Sequence, residues 1–347
     1  MYLRHITNLE AGQRLDRYLS KLLPMAGSGF LHKMLRKKNI TLNGQKAEGC
    51  EKLNVGDQIT IFFAEETLLK FMGRQPDEKS SDCSSRIHET AEYRRAYQTY
   101  DSITIIYEND HILLADKPAG ILTQKASQTD ISLNEWLIGA LLARGDISPE
   151  DLETYRPSVC NRLDRNTSGI VLCAKSVQGA QLLGSLLQKR TLHKYYQLYV
   201  KGHLQDAGVA EGYLSKDERR NKVSIQPSLR HKDTASGKES YIKTSYRPLK
   251  VEADKTLLEV ELITGKPHQI RAHLASIGHP LLGDYKYGDR DWNEYYKRTC
   301  QIRTQLLHAY KVTFPALEPP FEDISTKTFQ TGLPELFARA SGQTASL

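Results

Sequence analysis

Apolar residues at positions 15, 18, 19, 22 and 23 fall at the i, i+3, i+4, i+7, i+8 spacing of an amphipathic helix, closed by Pro24 and the glycines at 27 and 29. Phe30, Leu31, Met34 and Leu35 form a second stripe, which predicts another short helix with Lys33, Arg36, Lys37 and Lys38 facing largely outward. Ile40 and Leu42, the turn signal Asn43-Gly44, the turn Gly56-Asp57 and a strand-like run over 58–63 predict a small sheet after the helices. From 66 to 100 the pattern gives way to polar, charged and aperiodic sequence, read as a linker. Alternation resumes at 103–107, breaks at Glu108-Asn109-Asp110 and continues through 111–115, which predicts a hairpin ending in Lys117-Pro118-Ala119-Gly120. Further strands are expected at 170–174, 195–200, 257–262 and 309–314. Helices are expected at 176–189 and 267–276, the latter with Pro267 in its first position and Gly278 just beyond its end. The fold class is α+β: a small N-terminal module over 12–65, a linker over 66–100 and a larger, mixed, mostly antiparallel domain over 101–330.

Length and composition agree with this division. At roughly 150 residues per domain, 347 residues make about two domains, and 39% hydrophobic with 26% charged residues is ordinary globular usage rather than collagen-like or wholly disordered. No apolar stretch approaches the roughly 18 residues of a membrane span, and the start Met1-Tyr2-Leu3-Arg4-His5 has no apolar leader core. A soluble, cytoplasmic protein is expected. Five cysteines (50, 83, 160, 173, 300) with no C-x-x-C pair argue against a disulfide framework and a zinc site, and read as reduced thiols.

Charge changes the picture at one place. Between Arg17 and Ala47 there is no acidic residue, while Arg17, Lys21, Lys33, Arg36, Lys37, Lys38 and Lys46 supply seven cations. Without those seven the chain holds 41 Lys and Arg against 41 Asp and Glu, so the whole net charge of +7 lies in this segment. A run this one-sided in a folded segment favours an acidic polymer, nucleic acid, as partner over a merely solvated helix face.

The chemistry centres on Cys160-Asn161-Arg162-Leu163-Asp164-Arg165-Asn166-Thr167-Ser168-Gly169, which precedes the apolar run 170–174. A carboxylate at the start of a buried strand is held rigidly yet faces a cleft, and neighbouring guanidinium groups would keep it ionised. Spacing alone leaves a second reading open, a turn-capping Asp among solvated arginines. A later segment, Thr264-Gly265-Lys266-Pro267-His268-Gln269-Ile270-Arg271, joins a strand to a helix and places Arg271 to reach toward a fixed carboxylate. His268, His273 and His279 lack the H-x-x-x-H spacing and read as simple hydrogen-bonding groups, so no metal site is expected.

Two resemblances follow from these residues. Two short helices and a small sheet, with R-L-D-x-Y-L at 14–19 and Leu42-Asn43-Gly44, resemble the S4 RNA-binding domain. The larger domain resembles the RluA family of RNA pseudouridine synthases: R-L-D-x-x-T-S-G stands intact over 162–169, K-x-Y as Lys194-Tyr195-Tyr196, and T-G-R-x-H-Q-I-R as 264–271. Gly278-His279-Pro280-Leu281-Leu282-Gly283-Asp284, the Lys117-Pro118 hairpin and Leu307-His308-Ala309 also fit, so the resemblance spans about 100–315. Asn161 stands where the family often has His, and Lys266 and Pro267 replace the usual Arg and Thr, which bears on substrate fit rather than on the chemistry.

The resemblance implies isomerisation of specific uridines in RNA to pseudouridine, most readily in large-subunit (23S) ribosomal RNA. Transfer RNA is the alternative substrate, and a non-catalytic RNA-binding or ribosome-assembly factor the alternative class. It implies Asp164 as the catalytic carboxylate, Arg271 as its partner, Tyr196 against the uracil ring and near the C5 proton, and Arg162 filling the space left by the flipped base. Arg17, Lys33, Arg36, Lys37 and Lys38 would contact RNA. No cofactor is expected, since no P-loop, G-x-G-x-x-G or metal cluster stands in the sequence. A hydrolase would need two working carboxylates, and only one is evident. The protein is expected to be a monomer with RNA or a ribosome-assembly intermediate as partner.

Overall fold

A computed structural model describes residues 1–74, 81–217, 222–226 and 239–342. The chain divides into two units, one of residues 1–114, 122–162 and 171–185, the other of 115–121, 163–170 and 186–347.

The first unit opens with β1 (Tyr2–His5), α1 (Leu15–Leu22), α2 (Ser28–Arg36), β2 (Ile40–Leu42), β3 (Gln45–Lys46) and β4 (Gln58–Ile61), whose strands form an antiparallel sheet in the order β1-β4-β2-β3. The stripes read from the sequence are the buried faces: Leu15, Tyr18, Leu19 and Leu22 of α1, and Leu31, Met34 and Leu35 of α2. Asn43 and Gly44 both take positive φ (52° and 71°), as a two-residue hairpin turn requires. The Asn43 side chain ties this turn to the next, donating to Asp57 (2.9 Å) and accepting the Gln58 N–H (2.8 Å). β1 was not foreseen; four alternating residues are too short a signal, and the strand exists because it pairs with β4.

The segment expected to be an aperiodic linker carries two helices, α3 (Glu65–Phe71) and α4 (Ser81–Thr99). Leu68, Phe71 and Met72 pack against the N-terminal core, with the Phe71 ring 4.7 Å from that of Phe30. Tyr93 and Ala96 of α4 are buried. α4 meets α5 (Leu133–Arg144) so closely that a Cβ on Gly139 would stand 2.0 Å from the Tyr93 carbonyl oxygen. Such contacts rest on a small residue and a few aromatics, and leave almost no periodicity in the sequence. Residues 75–80 of this stretch, and the Cys83 side chain, lie outside the described residues. Cys50, Cys160, Cys173 and Cys300 are free thiols.

The unit also holds β5 (Thr104–Glu108), β7 (Ser158–Val159) and parts of β6 (Ile112–Lys117), β8 (Ser168–Ala174) and α6 (Val177–Lys189), three elements within which the chain passes from one unit to the other. α5 escaped the sequence reading because it is apolar on nearly every face and shows no amphipathic period. Its start is capped by Ser132, whose hydroxyl accepts the Asn134 N–H and donates to Glu135.

The second unit is built on β9 (His193–Lys201), β10 (Gly208–Asp217), β11 (Lys222–Gln226), β12 (Ser240–Val251), β13 (Lys255–Leu262) and β14 (Leu307–Thr313), in the order β11-β10-β12-β13-β9-β14, every neighbour antiparallel. β14 then runs parallel to the start of β8, His308 opposite Ser168 and Ala309 opposite Gly169, and β15 (Thr328–Gln330) pairs with its other end. Gly169 has φ 110°, and a Cβ there would lie 2.2 Å from the Ala309 carbonyl oxygen, so only glycine lets the two strands meet. α7 (Gln269–Ser276) packs Ala272 against Leu214, Val223 and Ile242 of the sheet. α8 (Arg290–Cys300) and α9 (Glu335–Ala340) cover a second cluster around Tyr199, Leu282 and Phe337.

α7 begins two residues later than its sequence suggests. Pro267 precedes it, and His268 is the N-cap residue with φ 56°. The Gln269 side chain accounts for this tight entry, accepting from Thr264 Oγ1 (2.9 Å) and the Lys266 N–H (3.2 Å) while donating to the Lys243 carbonyl (3.1 Å) and Thr244 (3.0 Å).

Candidate active site

Asp164 lies in the turn that enters β8. The turn is closed by its backbone carbonyl, which accepts the Thr167 N–H at 3.0 Å, leaving the carboxylate for other work. That carboxylate accepts from Arg271 Nη1 at 2.8 Å and is 26% exposed. The partner expected from the later segment, Arg271, 107 residues further along, is the one that pairs with Asp164, and among the described residues no ion pair joins Asp164 to its sequence neighbours Arg162 and Arg165. Arg162 and Arg165 are exposed.

The backbone around Asp164 is fixed from below. Lys117, fully buried at the end of β6, donates from Nζ to the carbonyls of Pro118 (3.0 Å), Ile121 (2.9 Å) and Arg165 (3.1 Å), and the Gly120 N–H reaches the same Arg165 oxygen at 2.8 Å. Burial pulls the Lys117 amine down to about 7, although Asp164 and Asp116 pull the other way. On the far side of the turn, Ser168 Oγ and His308 Nδ1 are 2.8 Å apart, both buried.

Arg271 is held harder by a second carboxylate. Its Nε and Nη2 donate to the two oxygens of Asp284 at 2.7 and 2.9 Å, and its guanidinium carbon sits 5.3 Å from the centre of the Tyr287 ring. Burial works against the charge of Arg271, but Asp284 and then Asp164 outweigh it and hold the group well above its usual range. Asp284 is fully buried; burial alone would raise it, and the bonds from Arg271 bring it below the ordinary carboxylate range.

Tyr196, on β9 between Val260 of β13 and Ala309 of β14, is buried near Asp164. Burial first, and the Asp164 charge second, push its phenol far up, so it is a neutral hydroxyl at ordinary pH. His268 Nε2 stands 3.9 Å from Asp164 Oδ2, with Nδ1 2.9 Å from the Tyr287 hydroxyl. Burial lowers the His268 pKa, opposed by Asp164 and assisted by Arg271, which favours the neutral ring. His273 and His279 make the simple hydrogen bonds expected of them, to Thr244 Oγ1 and the Lys201 carbonyl.

The second unit thus brings Asp164, Tyr196 and Arg271 together. Of the residues expected to bind RNA, Arg17, Lys33, Arg36, Lys37 and Lys38 lie in the first unit with Arg162 and are exposed; Lys21 and Lys46 of the same basic segment are exposed too, and none of these seven cations of the segment pairs with an acidic side chain among the described residues. Sequence reasoning gave no role to Lys117, Asp284 or Tyr287. Lys117 and Asp284 stand inside segments noted for their resemblance, but nothing in a linear motif says which polar residue will be buried.

A family model described as RNA pseudouridylate synthase matches residues 111–276, which contain Asp164, Tyr196 and Arg271. The chain is 30% identical over 322 residues to the ribosomal large subunit pseudouridine synthase C of Vibrio cholerae, covering 90% of this chain and 89% of that one. It is also 30% identical to the synthase of the same name from Rickettsia prowazekii, over 84% of this chain and 87% of that one. Among solved structures, human RNA pseudouridylate synthase domain containing 4 shares the fold, with a TM-score of 0.55 and 22% identity over 74% of this chain and 97% of that one.

Proposed function

From the premise that this chain belongs to the RNA pseudouridylate synthase family and is a pseudouridine synthase, we propose that it isomerises specific uridines of large-subunit ribosomal RNA, with Asp164 as the catalytic carboxylate. The observation that carries the assignment is the pairing of two carboxylates on one guanidinium. Asp284 is sealed from solvent, whereas Asp164 shares the same Arg271 and keeps an open side. Only Asp164 of the two can meet a substrate.

In the isomerisation the N1–C1′ bond of uridine breaks, the uracil turns, C5–C1′ forms, C5 loses its proton to solvent and N1 gains one, so the composition is unchanged. Asp164 acts on the sugar, either by attack at C1′ or by taking the 2′ proton. Arg271 orients that carboxylate through Nη1 and keeps it charged. Tyr196 packs against the base; because its phenol is neutral, any part it takes in moving the C5 proton passes through the hydroxyl oxygen rather than a standing phenolate. The uridine must leave its stack to reach these groups, and exposed Arg162 is suited to fill the vacated space.

Residues 12–65 act as an S4-like RNA-binding module, a reading supported by seven exposed cations on and around its two helices, none of which pairs with an acidic side chain among the described residues. The module supplies sequence-tolerant affinity for folded RNA, and the domain over 101–330 carries out the reaction. The protein works as a monomer in the cytoplasm, on ribosomal RNA or an assembly intermediate of the large subunit. Among the described residues no helix is long and apolar enough to cross a membrane.

Pseudouridine mapping of total RNA from cells with and without the gene tests the whole reading. Loss of one or a few modifications in large-subunit RNA is expected; loss confined to transfer RNA would reassign the substrate, and an unchanged map would leave a non-catalytic RNA-binding factor.

A further inference from the structure

Arg271 has five N–H donors in a rigid fork, and Asp284 takes one edge of it. With Nε and Nη2 on the two Asp284 oxygens, Nη1 alone is presented to Asp164. The Asp284 end is the anchored one. Its Oδ1 also accepts the N–H groups of Lys286 (2.9 Å) and Tyr287 (3.2 Å), and its backbone carbonyl accepts from Gly288 N (2.9 Å) and Asn293 Nδ2 (3.0 Å). Asn293, fully buried on α8, also accepts the Gly283 N–H at 2.8 Å. Gly283 cannot be replaced by a residue with a side chain: its φ is 77°, and a Cβ there would lie 2.1 Å from the Thr304 carbonyl. One carboxylate is therefore built into the scaffold and the other faces substrate, with a single guanidinium between them.

We propose that Asp284 is the positioning residue of this site, governing the reaction through Arg271. It rests on the reading of Asp164 as the reacting carboxylate and extends it in two ways. The first is geometric: Asp284 fixes the plane of the guanidinium, so that one N–H orients Asp164 while the other Asp164 oxygen stays available. The second is electrostatic. Two carboxylates on one guanidinium leave the trio with a net charge of −1, so Asp164 is oriented without being neutralised. If Asp284 loses its charge, the freed edge of the fork can turn onto Asp164, tying up both its oxygens and drawing off its electron density.

The test is Asp284→Asn, which keeps the shape and the oxygen that accepts from Lys286 and Tyr287. Tritium release is measured from in vitro transcribed large-subunit RNA carrying C5-tritiated uridine. We expect kcat to fall about 10²-fold, the scale on which a displaced catalytic group loses rate, with KM changed less than about twofold. In an Arg271→Ala background the same substitution should cost nothing further, because a residue that acts only through Arg271 has no effect once it is gone. A merely structural Asp284 predicts the opposite, losses that multiply. Asp284→Glu, which keeps the charge but moves it by a methylene, gives a smaller kcat loss that Arg271→Ala must likewise absorb. Near-normal kcat in folded Asp284→Asn, multiplicative losses, or failure of both variants to fold each overturn the proposal. Asp164→Asn run alongside separates the two levels: normal turnover there refutes the Asp164 assignment itself, whereas an inactive Asp164→Asn beside a fully active Asp284→Asn refutes only the role of Asp284.

Discussion

Lys117 Nζ donates to the backbone carbonyl of Arg165 at 3.1 Å, one residue beyond Asp164. With the carbonyls of Pro118 and Ile121 it finds three acceptors, matching the three N–H donors of an ammonium. Burial draws this amine, which fixes the Asp164 turn, down to about 7, so the three-donor ammonium is the folded form below that pH.

Stability should therefore depend on pH through Lys117. An unfolded lysine titrates near 10.4, so between about pH 7 and about pH 10 the unfolded chain holds a proton that the folded one has released, and stability rises with pH across that window. Below about 7 both states are protonated and the full cost of burying the charge is present. Lys117→Met removes the group, and the unfolding free energy of the parent minus that of the variant should climb from pH 7 to 10, by up to about 1.4 kcal/mol per unit. Urea denaturation at several pH values measures it; a flat difference would show that the ammonium persists throughout.

Replacing Asp164 with Asn or Ala should abolish isomerisation, by at least about 10⁴-fold in rate, while fold and RNA affinity stay close to those of the parent. Tritium release and a filter-binding assay read the two effects separately. Turnover near the parental value in Asp164→Asn would remove it as the catalytic carboxylate.

For Arg271 the structure relocates the damage. Arg271→Ala strands a carboxylate, and the costly one is the sealed Asp284 rather than the partly open Asp164. Breaking a buried pair costs about 3 to 5 kcal/mol, so the variant should lose stability on that scale as well as activity. Arg271→Lys should recover little of either, because one ammonium cannot span both carboxylates as the fork does. Thermal melts and turnover together check this; full recovery by lysine would mean that charge alone matters.

RNA affinity is tested by changing charges rather than by deleting the module. Residues 1–74 are tied within the first unit: Thr154 Oγ1 donates to Glu10 at 3.0 Å, Arg4 pairs with Asp151 at 3.4 Å, and Arg74 pairs with Glu153. A truncation near residue 100 would unsatisfy these groups and confuse binding with folding. Substituting Gln at Lys33, Arg36, Lys37 and Lys38 leaves them alone. If all four meet phosphates, the slope of log affinity against log salt should shallow by roughly 3 to 4, with turnover on bound RNA unchanged. An unaltered slope would show that this face is only solvated.

The local elements with strong periodicity were legible in the chain itself. α1 and α2 bury the stripes at 15–22 and 31–35, the Asn43-Gly44 turn sits where its sequence puts it, and β8, β9, β13 and β14 lie within a few residues of their expected places. The chemistry-bearing types, Asp164 in R-L-D-x-x-T-S-G and Arg271 in H-Q-I-R, could be singled out as well, since their motifs are contiguous. Tertiary structure decided the rest. α5 has no amphipathic period because it is buried on almost all sides, and α4 is held by the missing Cβ of Gly139, a contact that leaves no trace in its own sequence. At the site, the pairing of Asp164 with Arg271 was anticipated from the two motifs, but the hold of Asp284 on Arg271 was not. Burial makes the difference: a charge removed from water must find its counter-charge wherever the packed chain brings one, and linear order does not encode that distance.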